Sequence, residues 1–143
     1  MGTRSRIGVM HGDKVKSVYC HWDGYLDHNG RILLNHYDSS KANFLVALGD
    51  LSSLREEIGE KHDFADSGAD NRQCTFYGRD RGEEGIETNY FKDVADYEKN
   101  HGYQEYEYIL RTDGVWYVNQ GDSYKGYEPL IEAIVEEMRK EAE

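Results

Sequence analysis

One proline, two cysteines and no apolar run long enough to span a bilayer mark this 143-residue chain first by what it lacks. The scarcity of proline excludes a proline-rich linker or extended recognition segment. Two cysteines, Cys20 and Cys74, are too few for a disulfide-built scaffold, and a membrane helix needs roughly 20 consecutive apolar residues. Arg4 and Arg6 are followed by no apolar stretch of signal-peptide length, so the expectation is a cytoplasmic protein with reduced thiols. Basic residues are also short, at 17 against 28 acidic ones, for a formal charge of −11. The deficit is uneven. Residues 1–72 carry 9 basic and 11 acidic side chains, a balance of −2, whereas residues 73–143 carry 8 and 17, a balance of −9. Such a field repels phosphate backbones and excludes ordinary nucleic-acid binding, while it attracts a basic protein surface, including one that normally holds DNA.

Signatures of chemistry are missing as well. Neither GxxxxGK[ST] nor GxGxxG occurs. The six histidines show no paired ligand spacing, and Cys20 and His21, adjacent on a strand, point to opposite faces, so neither a metal nor another cofactor is expected. Cys20 has His21, His36 and Asp23 in its half of the chain but no spacing that sets a base and its orienting partner beside the thiol. Carboxylate pairs carry no signal where 28 acids always supply them. The chain is therefore read as a non-enzyme, with a small hydrolase ranked last among its alternatives.

What the chain does have is aromatic surface. Twelve Tyr, 4 Phe and 2 Trp, each able to bury roughly 150–250 Å², are enough for one core in a single domain over residues 1–143. Alternation predicts strands over 4–10 and 15–22, joined by a turn at His11–Lys14 into a hairpin, with Val18, Cys20 and Trp22 on one face. Helices are expected over 31–37 and 41–48, the second capped by Asp38-Ser39-Ser40 and closed by Gly49. Ser53 and Glu56 have capping-box spacing, residues 62–72 read as a loop, and 73–78 as a short strand. A charged loop over 79–85 and a helix over 89–100 burying Tyr90, Val94 and Tyr97 follow. A second hairpin, 103–111 and 115–119, turns at Thr112-Asp113-Gly114. The last helix starts after Pro129, with Leu130, Ile131, Ile134, Val135 and Met138 as its apolar stripe, readable as core or as the seam of a homodimer. The resulting class is α+β: a mainly antiparallel sheet of two hairpins and a short strand, helices packed on one face, and an amphipathic C-terminal helix.

Two sets of residues stand out. Tyr103, Tyr106 and Tyr108 interleave with Glu105 and Glu107, and Glu132 and Glu136 line the last helix. Spaced carboxylates beside tyrosines suit a basic partner groove, so Tyr103, Glu105, Tyr106, Glu107, Glu132 and Glu136 form the candidate partner-binding set. The bland reading of the same residues is a solvated acidic surface. The second set is Trp22, Asp23, Tyr25, Tyr77, Arg79 and Arg81, aromatics and guanidinium groups suited to a small anionic ligand, with Phe76 beside them. Against it, Trp22 is in phase with the core, Asp23 and Tyr25 suit a turn, and Arg79 and Arg81 suit a loop balanced by Asp80, Glu83 and Glu84.

The opening Met1-Gly2-Thr3-Arg4-Ser5, the His21-Trp22-Asp23-Gly24-Tyr25 segment and the later Asp113-Gly114-Val115-Trp116-Tyr117 resemble a group of small bacteriophage and prophage proteins that begin MGTRS and carry a WDGY-type motif. The resemblance implies an accessory protein acting inside an infected bacterium and supplies no catalytic residue. The expected function is binding that inhibits or redirects a host protein with a basic surface, such as a defence or DNA-binding factor, with the acidic surface acting as a nucleic-acid mimic. The alternative is a sponge for a small signalling nucleotide.

Overall fold

The structure, a computed structural model, describes residues 3–65, 72–85, 88–100, 105–120 and 126–142. Strands β1 (Ser5–His11) and β2 (Lys14–Cys20) form the expected hairpin in full register, from Ser5 opposite Cys20 to His11 opposite Lys14. A π-helical turn over Leu26–Gly30 leads into α1 (Arg31–His36), and α2 (Ser39–Ala47) begins where Asp38 accepts the Lys41 amide at 2.9 Å. Next come β3 (Leu51–Ser53), β4 (Thr75–Phe76), α3 (Tyr77–Arg81), β5 (Asn89–Phe91) and α4 (Val94–Asn100). The chain closes with β6 (Tyr106–Leu110), β7 (Trp116–Gln120), β8 (Tyr127–Pro129) and α5 (Leu130–Ala142). Between β6 and β7, Gly114 takes the positive φ of 79° that the turn requires, and Asp113 accepts the Val115 amide at 2.9 Å.

The sheet is mixed rather than mainly antiparallel. Its order is β4-β3-β2-β1-β6-β7-β8, with β5 paired to the Val15–Ser17 stretch of β2. The two hairpins meet through a parallel β1–β6 pair, Ile7 beside Tyr108 and Val9 beside Leu110, and β3 runs parallel to the end of β2. Alternation in the sequence assigns faces to residues but not neighbours to strands, so it is silent on these parallel junctions.

Nor do the helices share one face. Ile7, Val9, Val18, Cys20, Tyr108, Leu110, Trp116 and Val118 point to the side covered by α1, α2 and α5, where Leu33, Ala42, Leu45, Val46, Leu130, Ala133 and Ile134 complete the main core. On the reverse side Val15 and Ile109 pack with Tyr97 of α4, flanked by Met10, Phe91, Val94, Tyr117 and Tyr127. The helix expected over 89–100 is split: residues 89–91 pair as β5, and Asp93 restarts the helix by accepting the Asp96 amide at 2.8 Å. Tyr90, expected in the core, is exposed. Residues 79–81 belong to α3 instead of a loop, and the helical turn expected at Ser53 is the end of β3. Among the described residues no helix is long and apolar enough to cross a membrane.

Candidate functional site

The candidate partner-binding residues are divided among three places. Tyr103 lies outside the described residues. Glu105 accepts the Arg4 amide at 2.7 Å, and Tyr106 packs half-buried on the main core, stacked with Tyr108 at 6.3 Å between ring centroids. Glu107 faces the reverse side and is buried, where it accepts the Tyr127 hydroxyl at 2.8 Å. Burial, with Tyr97 and Glu107 beside it, raises the Tyr127 hydroxyl above the ordinary tyrosine range. Glu132 and Glu136, by contrast, are exposed one turn apart on α5, with Glu136 facing Lys140 at 3.8 Å.

α5 is amphipathic in an unequal way. Leu130, Ala133 and Ile134 are buried, but the rest of the apolar stripe is not: Ile131 is 50% exposed, Val135 38% and Met138 49%. Ile131, Glu132, Val135, Glu136 and Arg139 border one shallow groove along the outer face of the helix. Burial above all, with the neighbouring Glu141 and Asp27, raises the Glu137 carboxyl above its usual range, while Arg31 and Lys140 oppose the rise.

The candidate ligand set separates as well. β2 stops at Cys20, and Asp23 takes φ 57°, so Trp22 leaves the sheet's alternation and is exposed instead of anchoring the core. Trp22 meets the His21 ring edge-on at 4.7 Å, and His21 Nδ1 lies 2.8 Å from the Tyr19 hydroxyl. Tyr25 is exposed beside His28. Arg79 is turned inward: it donates to the carbonyls of Ile58, Gly59 and Cys74 and to Asp80, with its plane over Phe76 at 4.6 Å. Its guanidinium is committed to holding β4 against the 58–59 segment. Arg81 is the outward member, lying over Phe64 at 4.5 Å and Tyr77 at 5.0 Å while pairing with Glu83.

Nearby is an arrangement the sequence did not reveal. His62 Nε2 lies 3.2 Å from the Thr75 hydroxyl, and His62 Nδ1 lies 2.9 Å from the Glu60 carbonyl and 3.6 Å from Asp80. The order hydroxyl, imidazole, carboxylate is that of a nucleophile and its base. Thr75 is 0% exposed, so its oxygen meets no solvent-borne substrate. Asp80 opposes the cost of its own burial with the Arg79 hydrogen bond and the amides of Phe76 and His62, which hold its carboxyl below the usual range. The cluster fastens the 60–62 segment to β4 and α3.

Both thiols are buried and free. Burial pushes Cys20 up to about 12 against the hydrogen bond from Asn29, and raises Cys74 despite its contact with the Tyr37 hydroxyl at 3.2 Å. Neither is a poised nucleophile. Among the described residues no three His, Cys, Asp or Glu side chains converge on a metal site. Sequence reading also passed over Arg111, which lies over the rings of Tyr117 at 4.3 Å and Tyr127 at 5.7 Å on the reverse side of the sheet. Its only signal was its place just before the Thr112-Asp113-Gly114 turn.

The chain matches no protein-family model, no curated protein and no solved structure.

Proposed function

We propose that the protein is a binding module, a phage accessory protein that inhibits or redirects a host bacterial protein inside the infected cell, and that α5 carries the contact. One observation supports this above the others: Ile131, Val135 and Met138 stay 38–50% exposed along one stripe of α5, with Glu132 and Glu136 beside them. Each apolar side chain left in water forgoes about 25 cal/mol per Å² of burial, and an apolar strip with a charged rim is the composition of a protein contact. The −9 balance of residues 73–143 selects a partner whose apolar patch is ringed by Lys and Arg, of the kind that also grips nucleic acid. Glu132 and Glu136 carry this reading; Glu107, being buried, does not.

The test is capture from nuclease-treated bacterial lysate with the wild type, Val135→Asp and Glu132→Lys/Glu136→Lys, followed by affinity measurement on the captured protein at two salt concentrations. The expected result is one host protein lost with both variants and weakened by salt. Equal capture by all three, or affinity untouched by charge reversal at low salt, overturns the reading. Capture of a second copy of this chain alone assigns the stripe to a homodimer and overturns it as well.

The nucleotide-sponge reading is favoured by Arg81, whose guanidinium lies over Phe64 and Tyr77 at the surface. It predicts stabilisation of about 2.7 kcal/mol at a hundredfold excess of nucleotide over its dissociation constant. A flat melting profile across linear and cyclic nucleotides removes it. A hydrolase built on His62 is the weakest reading, because Thr75 is enclosed.

A further inference from the structure

In a protein of net charge −11, Arg111 is an arginine whose side chain pairs with no carboxylate among the described residues. Its backbone amide bonds the Val115 carbonyl at 3.1 Å, but its side chain has neither a hydrogen-bond nor an ion-pair partner among the described residues, and Nε is buried with no acceptor. The adjacent Asp113 carboxylate turns to other donors, accepting the Val115 amide at 2.9 Å through Oδ1 and the Tyr117 hydroxyl at 3.2 Å through Oδ2. The ring faces of Tyr117 and Tyr127 hold the guanidinium plane.

Beside it is a cavity of about 320 Å³ lined by Met10, Val94, Arg111, Thr112, Asp113 and Tyr117. A second hollow shares Met10 and Val94 and runs on toward Lys92, Asp13 and Asp93. The groove therefore has a cationic end, an apolar floor and an opposite end lined by Lys92, Asp13 and Asp93. We infer that this groove binds a small monocarboxylate with an apolar body, its carboxylate on Arg111 and its body over Met10 and Val94.

Three features select that chemistry. A guanidinium fork matches one carboxylate with two parallel hydrogen bonds, and with Nε buried it is the two terminal nitrogens of Arg111, held by ring stacking, that are left to meet it. One cation that forms no ion pair among the described residues, with the Asp113 carboxylate in the same lining and a strongly acidic chain around it, suits a single negative charge rather than a doubly charged phosphate. Asp13 and Asp93 outnumber Lys92 at the far end and disfavour a second anionic group, so the body of the ligand is apolar. The groove lies on the face of the sheet opposite α5, and the inference does not depend on α5 binding a partner.

The probe is hexanoate, titrated by NMR against the Arg111 Nε–H and Tyr117 ring resonances, with hexanamide, acetate and inorganic phosphate as comparators. Hexanoate is expected to saturate, acetate to bind more weakly for want of a body, and hexanamide and phosphate to give no saturable shift at Arg111. Arg111→Gln is expected to weaken hexanoate at least about tenfold, the loss of a charge-assisted pair. Arg111→Lys, which keeps the charge and loses the fork, falls between the two. Val94→Glu sets a carboxylate in the groove without touching Arg111, and is expected to abolish binding if Arg111→Gln fails to fold. Hexanamide or phosphate binding as well as hexanoate, affinity unchanged in Arg111→Gln or Val94→Glu, or no saturable shift with hexanoate at all, each overturns the inference.

Discussion

The Tyr108 hydroxyl donates a 2.6 Å hydrogen bond to the Gly24 carbonyl, tying the middle of β6 to the turn that follows β2. Gly24 is held from its other side too, since its amide donates to the Thr3 carbonyl at 2.7 Å. A Cβ at this position would lie 2.8 Å from both the Ser5 Cβ and the Thr3 carbonyl oxygen. The middle of the Trp22-Asp23-Gly24-Tyr25 segment is thus a joint. Asp23 turns the backbone at φ 57°, Gly24 fits against β1, and the side chains of Trp22 and Tyr25 are left exposed.

Tyr108→Phe keeps the ring and strands a buried carbonyl, which costs about 1–3 kcal/mol. Gly24→Ala forces backbone apart and costs a similar amount or more. Equilibrium urea denaturation is the measurement. The double mutant is expected to cost less than the two separate losses together, because both act on one contact. Wild-type stability in either single variant would show that the joint is not holding the hairpins together.

Asp80 makes stability depend on acid. Burial favours its neutral form, but Arg79 and the amides of Phe76 and His62 outweigh that, and its folded carboxyl titrates below the ordinary aspartate value near 3.9. A depressed folded value means that the stabilisation is fully present above the unfolded value and is lost as pH falls through the folded one. Asp80→Asn removes the charge that Arg79 faces inside the fold, a loss of about 3 kcal/mol. The gap between wild type and variant is expected to be constant above about pH 5 and to narrow below about pH 4. A gap that stayed constant to lower pH would mean that Asp80 takes up its proton alike in the folded and unfolded chain, so that its charge does not stabilise the fold.

The two thiols test the core directly. Cys20, 0% exposed and raised to about 12 by burial, and Cys74, raised likewise, are expected to resist a thiol-specific disulfide reagent at pH 8 in the native protein. Both react on unfolding, so the rate in increasing urea tracks the opening of the fold. Fast labelling of either in native buffer would mean that the β2 end or the β4 edge opens locally.

Much of this architecture is written in local pattern. The Gly12-Asp13 and Thr112-Asp113-Gly114 turns, the Asp38 cap and the helix after Pro129 stand where residue chemistry places them. What local pattern does not hold is the meeting of the hairpins. Ile7 beside Tyr108 is a contact across about a hundred residues, and alternation serves parallel and antiparallel neighbours alike. The errors in the sites have the same origin. Trp22 continues the β2 phase on paper, but the strand ends at Cys20. Glu107 reads as one acid among many, yet its register places it on the side where Tyr127 closes over it. Arg79 reads as an outward loop residue, although α3 begins directly after β4 and turns it inward.

Leu130 and Ile131 are neighbours with opposite fates, and they offer the cleanest separation of folding from binding. Leu130 is 0% exposed in the main core, whereas Ile131 is half exposed on the outer stripe of α5. Leu130→Ala removes buried methyl groups and leaves a cavity, costing about 2–5 kcal/mol. Ile131→Ala removes atoms already half in water and is expected to change stability by no more than about 0.5 kcal/mol. If the outer stripe is the contact, Ile131→Ala weakens partner binding at unchanged melting temperature, while Leu130→Ala lowers the melting temperature and weakens binding only in proportion to the fraction unfolded. Thermal melts and affinity on the same preparations distinguish the cases. Equal stability losses in the two variants would mean that the α5 outer face is packed in solution, and the stripe would then have no free surface to offer a partner.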